Sequence, residues 1–438
     1  MTDQNNDSTN LADDIFGFAA YEAPRPMRKV FLPWHRPRKQ FVRQRQWLEQ
    51  ISRMLDESSP AEQTLKYLGL PGVDLLDLRF FHENLCVQRG LKLRFLGFNT
   101  AANPANEAQT ELNISLDEVR RLAGVDPQSN VIGDDVRAIA NQSSIAWKRT
   151  FDLGPYDVVN LDLCDGFGVD DPGDTASPTY FDALNALVSL QARSKTPWLL
   201  LLTTRSGNQQ VHADVFRRFV DKYSANLADC PPFKTASREL FQFDQIPAGG
   251  EVVAHFLPLF LCGLCKWMLN LATGLKPPSS VAIKSIVGYR IDQSAPHEDL
   301  VSVAAKFEPL FTPVADSMGL ARMESGPGVD ECDFAAKVIK RVAKLANADD
   351  ILRNDAQLHK EMVEATASSV GRALRSGRLP SMGQRVLRLD MKRRRRSLMR
   401  CPARISHSHS SRICQPARLS AAIFRRSRFR FVAILALQ

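Results

Sequence analysis

The segment YDVVNLDLCDGFG, residues 156–168, decides the fold of this chain. It sets a run of valine and leucine around polar side chains and closes with two glycines, as a strand buried in a parallel sheet and followed by a loop does. Four further apolar runs lie around it: DLLDLR (74–79), LKLRFLGFN (91–99), VIGDD (131–135) and WLLLLTTR (198–205). Because stretches long enough for crossover helices separate the runs, the pattern predicts five parallel strands in an open α/β sheet.

Polar side chains stand at the far ends of several of these runs. They are Asn99, Asp134, Asp135, Asp162 and Asp165. In an open α/β sheet the ligand crevice lies beyond the carboxyl ends of the strands, so we expect these side chains to gather at one edge. The sequence therefore predicts where a ligand binds, but these residues alone do not indicate a reaction.

Two later runs, SVAIKSIVGYRI (280–291) and LVSVAAKFEPL (300–310), predict an antiparallel hairpin that closes one edge of the sheet. The predicted fold class is thus an open, doubly wound, mostly parallel seven-stranded sheet with a terminal antiparallel hairpin and with helical N- and C-terminal additions. SLDE (115–118) predicts a capping box that starts a helix over 115–122. The apolar stretch 252–275 is long enough to span a membrane, but His255, Pro258 and Lys266 interrupt it, which favours a helix packed on the sheet.

Composition divides the chain into a body and two ends. The net charge is +9, yet residues 391–438 carry +13 without any acid, which leaves −4 on the other 390 residues. We predict a disordered N-terminus (1–25), a basic-aromatic helical segment (26–64), a Rossmann-like domain (65–312), a small helical appendage (330–380) and a disordered basic tail (391–438). The tail has no structural periodicity, so it is either an interaction segment or out-of-frame translation.

The cysteines and the N-terminus bear on location. The eight cysteines are scattered, and the first residues contain neither a basic nor an apolar signal region. Cys262 and Cys265 form a CxxC without a second ligand pair, which predicts two small buried residues on a core helix rather than a zinc site. We therefore expect a cytoplasmic protein without a membrane partner.

These motifs resemble those of a known protein family. Residues 65–310 resemble the class I S-adenosylmethionine-dependent methyltransferases, with DLLDLR in the place of the first strand and YDVVNLDLCD in that of the fourth. More narrowly, PWHRPRKQFVRQRQW (33–47), YLGLPGVDLLDLR (67–79) and YDVVNLDLCDGFG together resemble a group of uncharacterised bacterial proteins linked to mobile elements or defence. The resemblance implies a Rossmann-like fold with S-adenosylmethionine as the cofactor.

The resemblance also implies cofactor-binding residues at the strand ends. Asp77 would take the acidic position of the first strand, Asn99 the position that binds the ribose, and Asp134 the position that binds the adenine amino group. Asn99 as a turn residue and Asp134 as a helix cap are the alternative interpretations. The glycines expected after the first strand are replaced by Arg79, Phe81 and Glu83, so either Gly69 and Gly72 upstream help to hold the cofactor or the pocket no longer binds it.

The catalytic candidates are Asn160, Asp162 and Asp165. Alternation along a strand puts Asn160 and Asp162 on one face, and buried polar groups in an apolar strand are costly unless they are paired or functional. Asp162 and Asp165 could act as a general base, or could hold a divalent cation together with Asp170 and Asp171. A carboxylate that caps a neighbouring loop is the structural alternative.

The N-terminal basic segment supplies candidate nucleic-acid contacts. Its candidate residues are Trp34, Arg36, Arg38, Lys39, Arg43 and Arg45. Cations interleaved with aromatic rings suit phosphate contacts and base stacking. The same spacing also fits an amphipathic helix from Gln40 onward that docks Phe41 and Trp47 on the body while its arginines face water.

Two functions follow from these residues. The first is a methyltransferase-like enzyme acting on a macromolecule, such as nucleic acid, through S-adenosylmethionine. The second is a catalytically inactive Rossmann-like module that binds nucleic acid or a partner protein in a bacterial defence or mobile-element system. A metal-dependent hydrolase built on Asp162, Asp165 and Asp170 is the weakest hypothesis, since no histidine cluster accompanies the acids. The sequence does not specify the acceptor or the oligomeric state.

Overall fold

A computed structural model describes residues 36–58, 63–246, 255–292, 297–310, 318, 320 and 329–376. The predicted N-terminal segment 1–25, the basic tail 391–438 and Trp34 lie outside this range. An eight-stranded sheet with helices on both faces makes up the described protein.

The strands are β1 (Thr64–Gly69), β2 (Lys92–Phe98), β3 (Asn130–Ile132), β4 (Val158–Asp162), β5 (Trp198–Arg205), β6 (Ser279–Tyr289), β7 (Leu300–Pro309) and β8 (Ala346–Asn347). Their order in the sheet is β3-β2-β1-β4-β5-β7-β6-β8. Strands β1 to β5 are mutually parallel, β7 runs antiparallel to both β5 and β6, and β8 adds parallel to β6. The predicted fold class, a mostly parallel doubly wound sheet with an antiparallel hairpin, is confirmed.

The first predicted strand is wrong. Residues 74–79 are not extended: Leu76–Phe81 is helical, and the first strand is Thr64–Gly69. Leu65, Tyr67 and Leu68 are buried and pair with β2 and β4 on either side. The run DLLDLR has only six residues, and the periodicity of so short a run does not distinguish a strand from a helix.

The helices are α1 (Pro37–Val42, Arg43–Leu48 and Glu49–Glu57, continuous), α2 (Leu76–Phe81, His82–Cys86 and Val87–Arg89, continuous), α3 (Gln109–Arg120), α4 (Ile145–Leu153), α5 (Tyr180–Gln191), α6 (Ala213–Asp229), α7 (Pro231–Phe241), α8 (Phe256–Thr273), α9 (Glu331–Ala343), α10 (Ala348–Asn354) and α11 (Ala356–Ser376). The middle parts of α1 and α2 are π-helical. Ser115 is buried inside α3 rather than at its start, so the capping box predicted at SLDE is wrong, whereas Thr179 and Asp182 form a capping box on α5.

Strand alternation divides the core into two layers. One face of the sheet packs against α4 to α9, and the other packs against α1, α2, α3, α10 and α11. Helix α8 is long and apolar enough to cross a membrane, but 67% of its most apolar window is buried inside the protein, as expected for a core helix. Cys262 and Cys265 are buried on it as predicted, and burial raises the pKa of the Cys265 thiol to about 12.

Residues 331–376 are integrated with the sheet. Helix α9 lies in the same core layer as α8, and β8 adds to the edge strand β6. A disulfide joins Cys230, before α7, to Cys332, in the first turn of α9, a pairing that the scattered cysteines had not indicated.

Candidate functional site

The sheet reverses its strand order between β1 and β4. From β1 the chain moves outward to β2 and β3 on one side and then returns to place β4 on the other side. Open α/β sheets bind ligands at such a switch point, outside the carboxyl ends of the strands. The residues that end β1 and β4, Gly69 and Asp162, therefore define the candidate site.

The loop after β1 contains both upstream glycines. Gly69 ends the strand, Gly72 follows three residues later, and the loop reaches α2 through Leu75. Because β1 is Thr64–Gly69, the apparent lack of glycines after the first strand came from the misplaced strand. Gly69 and Gly72 therefore lie at the end of the first strand and just after it, and their contact with a cofactor stays a prediction.

Leu75 adopts a left-handed backbone conformation in this loop. Its φ is +50°, and its side chain is fully buried against the core. That conformation costs a bulky residue about 1–2 kcal/mol, so the surrounding packing must enforce it. Strain of this kind concentrates at ligand-binding loops, and here it lies in the glycine loop.

Asn99 joins the ends of β1 and β2. Its Oδ1 accepts a hydrogen bond of 2.8 Å from the Ala101 backbone N–H, and its Nδ2 donates one of 2.8 Å to the Pro71 carbonyl. The residue therefore caps the short 3₁₀ helix Thr100–Ala102 and ties the glycine loop to the sheet. This is the turn role that the sequence offered as an alternative, and the ribose contact stays a prediction.

The acids after β3 take different roles. Asp135 caps the 3₁₀ helix Val136–Ala140 and forms an ion pair with Arg137, which also reaches Asp170 at 3.3 Å. Asp134 is half-buried, and within the described residues its side chain has neither a hydrogen bond nor an ion pair. The helix cap considered for Asp134 is thus supplied by Asp135, and the Asp134 carboxylate is available to a ligand.

Asn160 and Asp162 share the face of β4 that carries α1, as strand alternation predicts. Asn160 donates a hydrogen bond of 2.9 Å from Nδ2 to the Tyr67 hydroxyl, while its buried Oδ1 has no partner in the described protein. Asp162 forms an ion pair with Lys39. Burial raises the pKa of Asp162, and the Lys39 ammonium opposes that shift.

Asp77 lies in the first turn of α2, not at the end of a strand. It is buried and forms an ion pair with Arg43, which is also buried. Burial and the nearby Asp77 charge raise the pKa of Tyr67 well above its usual value, so this hydroxyl stays protonated. Tyr67 was missed by the sequence analysis, although alternation from Gly69 could have placed it on the same face of β1.

Some cationic side chains of α1 are buried in ion pairs, and others are exposed to solvent. Lys39 and Arg43 are buried in the ion pairs with Asp162 and Asp77, and Arg38 pairs with Asp349. Arg36 and Arg45 are exposed. The expectation that the arginines of this helix face water is wrong for Arg43, because the buried acids of the core require a countercharge.

Phe41 and Trp47 dock α1 on the sheet as the amphipathic interpretation predicts. The Trp47 indole donates to the Ser302 hydroxyl at 3.2 Å, and the Lys39 ammonium lies 4.4 Å from the centre of the Trp47 ring. Helix α1 is therefore fixed to the body by apolar contacts, hydrogen bonds and charges together.

Asp165 lies apart from the buried network. Its side chain is exposed, in the loop that follows β4. Gly166 permits that loop to touch the next one, because a Cβ there would stand 1.9 Å from the Gln210 carbonyl oxygen. The structure thus brings Asn160 and Asp162 together and leaves Asp165 at the rim.

The predicted metal-binding acids do not form one cluster. Asp162 is paired with Lys39, Asp170 with Arg137, and Asp165 is exposed. Among the described residues, Asp171, His212 and Asp214 bring ligand atoms within 4.8 Å of one another, but the His212 ring caps α6 and Asp214 pairs with Arg217. His212 and Asp214 are thus accounted for by the helix cap and the salt bridge, and Asp171 accepts a hydrogen bond of 2.8 Å from the Gly173 backbone N–H.

Comparison with known proteins places the chain in a family. Residues 28–373 match the PP_RS20740-like family. The chain belongs to this family. No curated protein matches it. Among solved structures, a Listeria monocytogenes protein assigned to the class I S-adenosylmethionine-dependent methyltransferases is similar at 10% identity and a TM-score of 0.30, over 72% of this chain and 73% of that one.

The extent of the PP_RS20740-like match bears on the domain organisation. It begins before α1 and ends within α11, so it includes the helix that supplies Lys39 and Arg43 as well as the helices after the sheet. The basic tail 391–438 lies beyond it. In this PP_RS20740-like protein, the residues that form the site therefore all come from the part of the chain shared with the family.

Proposed function

We propose that this protein binds S-adenosylmethionine at the carboxyl edge of its sheet and methylates a macromolecular acceptor, with nucleic acid as the favoured class. The observation that carries the proposal is the glycine-bearing loop, Gly69 to Leu75, directly after β1 at the switch point between β1 and β4. Ligands of open α/β sheets bind at this place, and the buried Leu75 side chain holds the loop in its strained conformation.

The side chains around the loop fit a ligand that carries hydrogen-bond donors and positive charge. Asp134 offers a carboxylate without a partner among the described residues, and the buried Asn160 Oδ1 is an acceptor without a donor. Burying an acceptor without a donor costs about 1–3 kcal/mol, which a bound donor would recover. The amino groups and the sulfonium of S-adenosylmethionine are donors and charges of this kind.

Bound S-adenosylmethionine would supply an activated methyl group to an acceptor nitrogen or oxygen. Asp162 lies at the end of β4 with a pKa raised by burial, which suits a group that takes a proton from an acceptor. Its ion pair with Lys39 holds the carboxylate in position. To work as a base, Asp162 has to exchange the Lys39 ammonium for the acceptor, so α1 is part of the site.

Calorimetric titration with S-adenosylmethionine tests the proposal. We expect binding that Asp134→Ala weakens by about tenfold, the usual effect of losing one charge-assisted hydrogen bond. Asp152→Ala is the matched control, because Asp152 is an exposed acid on α4. If millimolar S-adenosylmethionine releases no heat, the protein does not bind this cofactor. If both variants weaken binding equally, Asp134 has no specific role in it.

One observation favours the second function, an inactive binding module. Both candidate acids nearest the switch point, Asp77 and Asp162, are already neutralised by cations of α1. A protein of this kind would bind nucleic acid through its exposed arginines, Arg36 and Arg45. Salt-dependent binding of single-stranded DNA that Arg36→Ala and Arg45→Ala together abolish, without any binding of S-adenosylmethionine, would replace the first proposal by the second.

A further inference from the structure

A separate cavity of about 320 Å³ opens at the opposite edge of the sheet. Its lining residues are Gln50, Arg53, Met54, Glu57, Leu199, Lys284, Lys306 and Arg341. Leu199 is the second residue of β5, and Lys306 is its partner on β7. Since β5 continues for six more residues to Arg205, the cavity lies about 20 Å along the sheet from the carboxyl edge.

The cavity has an excess of positive charge. Four of its lining residues are cations and one, Glu57, is an acid. Arg53 lies 3.4 Å from Glu49, whereas the side chains of Lys284 and Arg341 have no ion pair or hydrogen bond within the described part of the chain. Neither side chain is therefore held in an ion pair, although the charge of Lys284 is near enough to help lower the pKa of Glu57.

Lys306 already binds oxyanions there. Its ammonium lies 2.5 Å from the Glu57 carboxylate and 3.5 Å from that of Glu308. Burial alone would lower the pKa of Lys306, but the two carboxylates outweigh it and raise the pKa. The Lys306 side chain is 10% exposed and that of Glu57 is 52% exposed, so Glu57 can turn into solvent while Lys306 stays in place.

A β-bulge helps to form the cavity. The register of β6 with β7 shifts between Ile283 and Ser285, which makes Lys284 the additional residue. Ser285 contacts Gln46 of α1, and Lys284 lines the cavity beside Arg53 of the same helix. Bulges redirect side chains next to functional sites, and this one turns two successive residues toward α1.

We propose that this cavity binds the phosphate group of a small phosphorylated molecule. A tetrahedral dianion can accept hydrogen bonds from several cations in different directions, and Lys284, Lys306 and Arg341 line the cavity from three elements, β6, β7 and α9. The volume is at the lower end of the range for small-molecule sites, about 300–1,000 Å³, and so leaves room for the group that carries the phosphate. Met54 and Leu199, both almost fully buried, are the apolar lining residues of the cavity.

Calorimetry at low ionic strength with inorganic phosphate, ribose 5-phosphate and adenosine monophosphate tests this inference. We expect Lys284→Ala and Arg341→Ala each to weaken binding by about tenfold. Lys337→Ala is the control, since Lys337 is exposed on α9 and pairs with Asp333 outside the cavity. Tighter binding of the two esters than of inorganic phosphate identifies a site for the whole molecule, and equal binding identifies an inorganic phosphate site, which would overturn the assignment to a phosphorylated molecule.

Glu57→Gln supplies a test of opposite sign. Removing the resident carboxylate's charge should strengthen phosphate binding several-fold, because the anion no longer competes with Glu57 for Lys306. Lack of binding by all three probes at 10 mM, or binding that neither Lys284→Ala nor Glu57→Gln changes, would overturn the proposal. The result does not depend on S-adenosylmethionine, because the two sites lie at opposite edges of the sheet.

Discussion

Lys39 of α1 and Asp162 of β4 form an ion pair that links the N-terminal helix to the carboxyl edge of the sheet. The side chains are 5% and 17% exposed, so neither charge is well solvated. Arg43 and Asp77 form a second such pair one helical turn later. The helix thus contributes the countercharges of the site, and its loss would leave two acids buried alone.

Lys39→Met should destabilise the protein in a pH-dependent way. Burial already raises the pKa of Asp162, and without Lys39 the pKa rises further, so ionisation of Asp162 costs more folding free energy as the pH increases. We expect a loss of about 3 kcal/mol at pH 8 and a smaller loss at pH 4.5. Urea unfolding at the two pH values measures this, and adding Asp162→Asn to the variant should restore most of the stability at pH 8.

The basic residues of α1 should separate into structural and solvent-facing groups. Arg43→Met leaves Asp77 buried without a partner and should cost about 3–5 kcal/mol. Arg36→Ala with Arg45→Ala should change the free energy of unfolding by less than about 0.5 kcal/mol. Denaturant titration of the variants decides this, and equal losses would contradict the two orientations of these side chains.

Asp157 should make the protein less stable as the pH rises. Burial raises the pKa of Asp157 to about 6, although it accepts a hydrogen bond of 2.7 Å from the Lys66 backbone N–H. A carboxyl whose pKa is raised by folding stabilises the folded state at low pH, and that contribution is lost as the pH rises through about 6.

Asp157→Asn tests this pH dependence, because it keeps an acceptor for the Lys66 backbone N–H and removes the charge. It should raise the free energy of unfolding by about 2 kcal/mol at pH 8 and leave it nearly unchanged at pH 4. Asp152→Asn, at an exposed position on α4, should show no such difference. A gain for Asp157→Asn that is the same at both pH values would contradict the raised pKa.

The disulfide between Cys230 and Cys332 should be a main source of stability. It closes a loop with a sequence separation of 102 residues between α7 and α9. Closing a loop of this length lowers the conformational entropy of the unfolded chain and should add about 4–5 kcal/mol to the free energy of unfolding. Unfolding with and without reductant measures it: the natural protein should lose stability in reductant, while Cys230→Ser with Cys332→Ser should be weaker from the start and insensitive to reductant.

The sequence was sufficient for the parts of the fold that depend on local pattern. WLLLLTTR is β5 over the predicted residues, and LKLRFLGFN and YDVVNLDLCD contain β2 and β4, because continuous apolar runs between helical segments are typical of buried parallel strands. The same alternation placed Asn160 and Asp162 on one face. The apolar pattern gave the wrong first strand. DLLDLR has enough leucine to resemble a strand, but the strand is formed by TLKYLG.

Only the tertiary structure decided what the site residues contact. The identity of Lys39, Arg43 or Asp77 does not reveal whether a charge faces water or another charge, because the partner lies 123 residues away for Lys39 and 34 residues away for Arg43. The sequence by itself determined four of the five parallel strands, the terminal hairpin and the edge at which polar residues collect. The packing of α1 on that sheet determined which acids are neutralised and which carboxylate, Asp134, is left available, since burial makes the cost of an unpaired charge large enough to select its partner.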